Sequence, residues 1–444
     1  MSVRQMTYFA YHRALGHALP SAYRTVSRQD RDGIPPGLVD DALAALLTHC
    51  SRHVPYYARL LPNVAPSPRE ARDALRDLPL LTKDDIRSNA VDLVSDDAAG
   101  RRTTTTSSGG STGEPVTLVQ DQHHRDWAAA VQLLHTSWTG HRLGQPEVYV
   151  WGSERDVVAG TMGSRMTAVN ALMRRSYLNA FRMTPHDIRS LIERLNARPP
   201  DLIVAYAQSL YEVARFAGES GLAIRPQRAV VVTSETLHGF MRSCIEEAFG
   251  CEVFNRYGSR EVGDIAGECT EHRGFHVFPW LNFVEILDED GAPVHDGVDG
   301  DIVVTCLTNF AMPLVRYRIG DRGALAPAGS CPCGRRGQML DRVLGHSGET
   351  FRSSDGALVD GGYLSGMMYL REWVQKFQVV QHQFDDIEFK VVLRPQSSAP
   401  PEELADIAAK VRRAMGDRCD VRFAFVDAIP PLPSGKFTYT VSYV

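Results

Sequence analysis

Four short segments of this chain combine glycines, hydroxyls and charges in ways that suit phosphate and sugar chemistry. The first is Ser107-Ser108-Gly109-Gly110-Ser111-Thr112-Gly113-Glu114-Pro115. Glycines let backbone N–H groups approach phosphate oxygens, and the hydroxyls add further donors. The loop lacks the Gly-Lys-Ser/Thr ending of a Walker loop, and taken alone it reads equally as a plain flexible loop. The second is Asn255-Arg256-Tyr257-Gly258-Ser259-Arg260-Glu261-Val262-Gly263. Here the Tyr257 ring could stack on a base and the Glu261 carboxylate could hold a metal; the plain alternative is a strand-end turn with a surface glutamate. In the third, Arg316-Tyr317-Arg318-Ile319-Gly320-Asp321-Arg322-Gly323, Asp321 is suited to accept two ribose hydroxyls or to cap its own hairpin. The fourth, Pro433-Ser434-Gly435-Lys436-Phe437, presents a compact charge for developing oxyanions, or a lysine on an exposed loop.

A fifth set is Cys269, His276, Cys331 and Cys333, with His272 as an alternative imidazole. Thiolates plus imidazole favour zinc, and four such ligands make a closed structural site. The spacings Cys-x₆-His and Cys-x-Cys are looser than a zinc ribbon, so unligated thiols remain the other reading.

The elements that must position these residues alternate. Val148–Trp151, Leu202–Tyr206, Ala229–Val232, Val253–Phe254 and Ile302–Thr305 are short apolar runs that read as strands. Between several of them lie helical patterns, such as Ile188, Leu191, Ile192 and Leu195. Strand–helix–strand alternation predicts α/β layers over a largely buried sheet. The tail differs: strands at Phe377–Val380 and Ile387–Val392, a helix from Pro401 to about Met415, then a strand at Val421–Phe425. That order predicts a small α+β domain. The expected division is 1–344 and 345–444, near Gly345-His346-Ser347-Gly348. Trp127, Trp138 and Trp151 read as core aromatics, and Tyr206 as a packing residue or a wall of an acid pocket.

Composition bounds the partners. The chain has 444 residues, with 48 basic and 53 acidic side chains for a formal net charge of −5, which builds no field for nucleic acid. No stretch of 18 apolar residues predicts a membrane span, and the N-terminal segment, broken by Arg4, His12, Arg13 and His17, is not expected to act as a signal peptide. Eight cysteines are too few for a disulfide scaffold. A soluble, cytoplasmic protein is expected.

The order of the four segments is more specific than any one of them. A hydroxyl-rich Gly loop, then Tyr257-Gly258-Ser259-Arg260-Glu261, then Arg316-Tyr317-Arg318-Ile319-Gly320-Asp321, then Ser434-Gly435-Lys436 resembles the motif series of the adenylate-forming superfamily. The match is strongest with its phenylacetate–coenzyme A ligase branch over Val231–Cys269. That stretch carries Ser234-Glu235-Thr236-Leu237 and Glu268-Cys269. Phe377-Gln378-Val379-Val380-Gln381 and Ser434-Gly435-Lys436-Phe437 are similar to the capsule-biosynthesis members. The resemblance covers residues 75 to 444.

It implies a large N-terminal α/β domain, a small mobile α+β C-terminal domain and a two-step reaction. An acid, expected to be aromatic, attacks the α-phosphorus of ATP to give an acyl-adenylate and pyrophosphate. An acceptor then displaces AMP: coenzyme A, or alternatively an amine, a hydroxyl or a carrier-protein thiol. By position, Ser108, Gly109, Gly110, Ser111, Thr112 and Gly113 would hold the β- and γ-phosphates. Ser234 and Glu235 would wall the base pocket, with Tyr257 and Gly258 against adenine. Glu261 would bind Mg²⁺, Asp321 the ribose, and Lys436 the transition state of the first step. His346 stands at the hinge where many relatives carry a ribose-binding arginine, and Thr438 follows the last motif where an arginine is usual. Both departures bear on the second step. Related enzymes are often dimers.

Overall fold

The computed structural model describes residues 2–61, 64–107, 116–151, 164–178, 185–346, 350–354, 358–368, 371–430 and 437–444. The chain divides into two compact units, Met1–Val343 and Leu344–Val444.

In the first unit a hairpin of β1 (Thr103–Ser107) and β2 (Thr117–Asp121) precedes the main sheet. That sheet contains β3 (Glu147–Val150), β4 (Arg175–Leu178), β5 (Leu202–Tyr206), β6 (Val230–Thr233), β7 (Val253–Ser259), β8 (Gly263–Gly267), β9 (Phe275–Val277), β10 (Asn282–Leu287), β11 (Gly300–Cys306), β12 (Tyr317–Leu325) and β13 (Met339–His346). Their order is β10-β11-β12-β13-β9-β8-β7-β6-β5-β3-β4. The β4-β3-β5-β6-β7 half is parallel, and β7-β8-β9 continues antiparallel.

The parallel half follows from its residues. Every position of Leu202–Tyr206 is buried, as a strand covered on both faces requires. The helix Pro185–Ala197 buries Ile188, Leu191, Ile192 and Leu195, the positions its three–four spacing selects. Truncating Leu195, which is 1% exposed, should cost about 2–5 kcal/mol. The helix Gly239–Phe249 stops at Gly250, whose φ of 60° is the left-handed cap that favours glycine.

The antiparallel half is packed by the helical N-terminal segment. Leu43, Leu46, Leu47 and Cys50 of the helix Leu38–His53 share a core with Ile302, Val304, Cys306 and Tyr317. The Tyr57 hydroxyl donates to Pro313 O at 3.2 Å and accepts from Val315 N at 3.1 Å. Leu81 bridges to β12: its N–H donates to Arg316 O at 2.9 Å and its carbonyl accepts from Arg318 N at 2.9 Å. Arg316 itself sits at φ 50°, with its guanidinium on the carbonyls of Arg76 and Leu78 and on Glu285. These bonds fix where the next helix, Lys83–Ser88, begins. Thr82 and Asp85 close it with a reciprocal capping box.

The second unit holds a small hairpin, β14 (Thr350–Arg352) with β15 (Leu358–Asp360), and a four-stranded sheet. That sheet comprises β16 (Val374–Gln383), β17 (Asp386–Leu393), β18 (Asp420–Phe425) and β19 (Thr440–Ser442), in the order β18-β17-β16-β19. The helix Pro401–Met415 buries Ile407, Val411 and Met415 in its core. The sequence pattern gives three of these sheet strands. The fourth, β19, is only three residues long and pairs in parallel with β16, too short a run for alternation to reveal. Among the described residues, no helix is long and apolar enough to cross a membrane.

Candidate active site

The second sequence segment becomes β7, the turn Arg260-Glu261-Val262, and the start of β8. The return is tight. A side chain at Gly258 would stand 2.6 Å from Gly263 O and 2.8 Å from Asp264 Cα, so only glycine fits. Glu261 is thereby turned inward and is 7% exposed. Its N–H donates to Ser259 Oγ at 3.2 Å, and Lys83 Nζ lies 3.9 Å from its Oε1.

The third segment runs along β12 and brings Asp321 to β7. The Tyr257 hydroxyl donates to Asp321 Oδ2 at 2.7 Å. Burial, then the Asp321 charge, pushes the Tyr257 phenol well above its ordinary range, so it keeps its proton and donates. Tyr317 is fully buried, and its hydroxyl has no hydrogen-bond partner. Burial raises this phenol too, followed by the charges of Glu261 and Asp321. One edge of the sheet thus gathers two carboxylates, two protonated phenols and an ammonium group. The orphaned Tyr317 hydroxyl is a donor awaiting an acceptor.

Thr233 pairs with Arg256, and Ser234 follows directly after the end of β6. Ser234 sits at φ 74°, a left-handed conformation uncommon for serine. Glu235 accepts the N–H of Gln208 at 2.8 Å, at the first turn of the helix Ala207–Glu219. That is where a carboxylate complements the helix dipole.

Ser108, Gly109, Gly110, Ser111, Thr112 and Gly113 lie outside the described residues, as does Lys436. The glycine loop's stem is described: Ser107 pairs with Thr117, and Gln120 Nε2 donates to Arg260 O at 3.0 Å. The stem is therefore tied to the Glu261 turn. His346 ends β13, and its side chain lies outside the described residues.

Two members of the site escape sequence reasoning. Lys83 is announced only by a helix start, Thr82-Lys83-Asp84-Asp85, and nothing there points to Glu261. Tyr317 stands inside the third segment, but as a strand residue with no evident task.

Cys269, His276, Cys331 and Cys333 converge, with all four ligating atoms within 4.8 Å of one another. Cys269 Sγ lies 3.6 Å from Cys331 Sγ, and Cys333 Sγ 3.3 Å from His276 Nε2. Zinc–sulfur bonds of about 2.3 Å place tetrahedral sulfurs about 3.8 Å apart, so the donor set and its spacing fit zinc. Burial and the nearby Arg335 charge push His276 down to about 4, leaving a neutral imidazole. Cys269 follows the end of β8 opposite to the Glu261 turn, so the cluster is remote from Tyr257 and Asp321 along that strand.

His272 is not part of this cluster. Its Nδ1 lies 3.2 Å from Glu268 Oε2, and Glu268 also takes two bonds from Arg242 Nη2 and one from Asn255 N–H at 2.8 Å. Glu268 draws the imidazole away from the thiols. Trp138 is a core aromatic, as expected, 8% exposed with Arg335 stacked 4.2 Å above its ring.

Residues 351–443 match the model of the CapK C-terminal domain. Protein CapK of Staphylococcus aureus is 23% identical over 376 residues, covering 83% of this chain and 80% of its own. A phenylacetate-coenzyme A ligase of Thermus thermophilus is 27% identical over 372 residues, covering 80% of each. A crystal structure of 2-hydroxyisobutyryl-CoA ligase, in the postadenylation state with R3-HIB-AMP, shares the fold. It superposes with a TM-score of 0.69 at 17% identity, over 91% of this chain and 88% of its own. Over about four-fifths of its length the chain is similar to CapK and to a phenylacetate–coenzyme A ligase, and it shares its fold with an acyl-CoA ligase of the adenylate-forming type.

Proposed function

We propose that this chain is an ATP-dependent, AMP-forming ligase that activates a carboxylic acid as its acyl-adenylate and transfers the acyl group to coenzyme A. The observation that carries the reading is the Tyr257–Asp321 hydrogen bond at the edge where Glu261 is buried beside Lys83. Phenylacetate–coenzyme A ligases span four-fifths of the chain, which supports coenzyme A as the acceptor.

In the first step a carboxylate oxygen of the acid attacks the α-phosphorus of ATP, and pyrophosphate leaves. In the second, the thiol of coenzyme A attacks the acyl carbon, loses its proton, and AMP leaves. A carboxylate is a poor electrophile, and AMP is a good leaving group. Asp321 accepts the ribose hydroxyls, with Tyr257 fixing its orientation while its ring lies against adenine. Ser234 and Glu235 wall the base pocket. Ser108, Gly109, Gly110, Ser111, Thr112 and Gly113 would donate to the β- and γ-phosphates, and the described stem of that loop is tied to the Glu261 turn. Glu261 holds Mg²⁺, which offsets phosphate charge when bound. The Tyr317 hydroxyl, buried without a partner, would donate to a phosphate oxygen. Lys436 neutralises charge developing at the α-phosphoryl group in the first step. The unit 1–344 would carry nucleotide and acid binding, and 345–444 the lysine.

Cys269, His276, Cys331 and Cys333 hold a structural zinc ion in this reading, which ties the end of β8 and β9 to the loop before β13. It takes no part in the chemistry.

Acid-dependent ATP–pyrophosphate exchange tests the proposal. Exchange with at least one acid, reduced about 10²-fold in Asp321→Ala, is expected for one lost electrostatic anchor. No exchange with any acid would overturn it.

A further inference from the structure

At the C-terminal edge of the parallel strands, Tyr206 pairs with Thr233 and Thr233 with Arg256. Paired residues project to the same face. Trp151, one residue past β3, packs on Tyr206 with ring centroids 4.4 Å apart. An indole, a phenol, a hydroxyl and a guanidinium therefore form one row, at the sheet edge where open α/β sheets bind ligands.

Arg256 is out of place in such a row unless something meets it. It is 4% exposed, and its Nε and Nη1 have no hydrogen-bond partner. Asp264 Oδ1, 3.5 Å from Nε, forms an ion pair with it but no hydrogen bond, so the charge is met while these N–H groups are not. His135 Nδ1 is a second buried orphan; its Nε2 is engaged by Glu268 O at 3.1 Å. Leaving a buried guanidinium unbonded is costly, so the site is built for a partner. The nucleotide does not supply it, because strand alternation directs Arg256 to the face opposite Tyr257 and its bond to Asp321.

We propose that this row is the acid-binding wall, and that Arg256 selects a planar acid bearing an oxygen acceptor at the end remote from the reacting carboxylate. This rests on the adenylation reading. Trp151 and Tyr206 offer flat apolar surface to a ring, and Thr233 separates them from the guanidinium. A hydroxyl, carbonyl or second carboxylate oxygen on the ring then accepts from Arg256.

The test is acid-dependent pyrophosphate exchange with benzoic and phenylacetic acids, their hydroxy- and carboxy-substituted forms, and aliphatic acids of matched length. Wild type should favour a substituted aromatic acid over its parent by roughly 10- to 100-fold in kcat/KM, the scale of a hydrogen bond to a charged group. Arg256→Met and Arg256→Gln should remove most of that preference, bringing kcat/KM for the substituted acid down toward that of the parent. Equal kcat/KM for substituted and parent acids in wild type would overturn the assignment and leave Arg256 to a buried water. Equal loss on every acid in both variants would also overturn it, as a purely structural role. No exchange with any acid would instead overturn the adenylation reading, and this assignment with it. If neither variant folds, the wild-type ranking decides alone.

Discussion

Tyr257 donates its phenolic hydrogen to Asp321 Oδ2 at 2.7 Å, joining two segments 64 residues apart. The bond orients the carboxylate while leaving Asp321 Oδ1 for another donor. Tyr257→Phe should keep the fold and raise KM for ATP by about 5- to 10-fold, the cost of one hydrogen bond of about 1 kcal/mol. Asp321→Ala should cost more than Tyr257→Phe, since it removes the acceptor itself. Steady-state kinetics with ATP varied checks the ranking.

Glu261 is 7% exposed, and Lys83 is 3.9 Å away. Glu261→Gln keeps the shape and removes the charge. Pyrophosphate exchange should fall about 10²-fold or more, with a higher Mg²⁺ concentration needed for half-maximal rate. Lys83→Met should act in the opposite sense on the ion, tightening the apparent Mg²⁺ requirement by removing a competing cation. Mg²⁺ titrations of both variants test this pair.

The thiol–imidazole cluster predicts about one zinc per chain by elemental analysis of the purified protein. Removing it with a strong chelator should lower Tm by several degrees, because the binding energy of a structural zinc is part of the folding energy. Cys333→Ser should do the same without chelator. Retention of Tm after complete metal removal would contradict the assignment.

His135 is fully buried, and burial followed by the Arg256 charge pushes its pKa down to about 3. The unfolded chain binds a proton near pH 6.5 where the folded chain does not. Stability therefore rises with pH across that window, and falls as pH drops from about 6.5 toward 3. His135→Gln, which keeps a donor for Glu268 O, should flatten this part of the profile. Denaturant unfolding at a series of pH values gives the slope.

Much of this molecule is legible before any coordinates. Leu202–Tyr206 is read as a strand because burial on both faces needs an unbroken apolar run. Ile188, Leu191, Ile192 and Leu195 mark a helix because their spacing builds one face. Tyr257, Glu261 and Asp321 stand out because their segments carry tight-turn glycines. Lys83 and Tyr317 do not stand out, because their tasks depend on Leu81 bridging to β12, a contact no local pattern encodes. His272 was a plausible ligand by spacing until Glu268 is seen to hold it. Arg256 was hidden differently: inside a recognisable segment, its burial and missing partners are properties of the sheet row and not of the string.

The most direct test of the central claim uses an acid that the enzyme accepts, labelled with ¹⁸O in its carboxylate. After turnover with ATP and coenzyme A, the products are analysed by mass spectrometry. Attack of the carboxylate on the α-phosphorus predicts AMP carrying one ¹⁸O atom, an acyl thioester retaining the other, and unlabelled pyrophosphate. Formation of ADP with the label in inorganic phosphate would show activation at the γ-phosphorus, and would contradict the account.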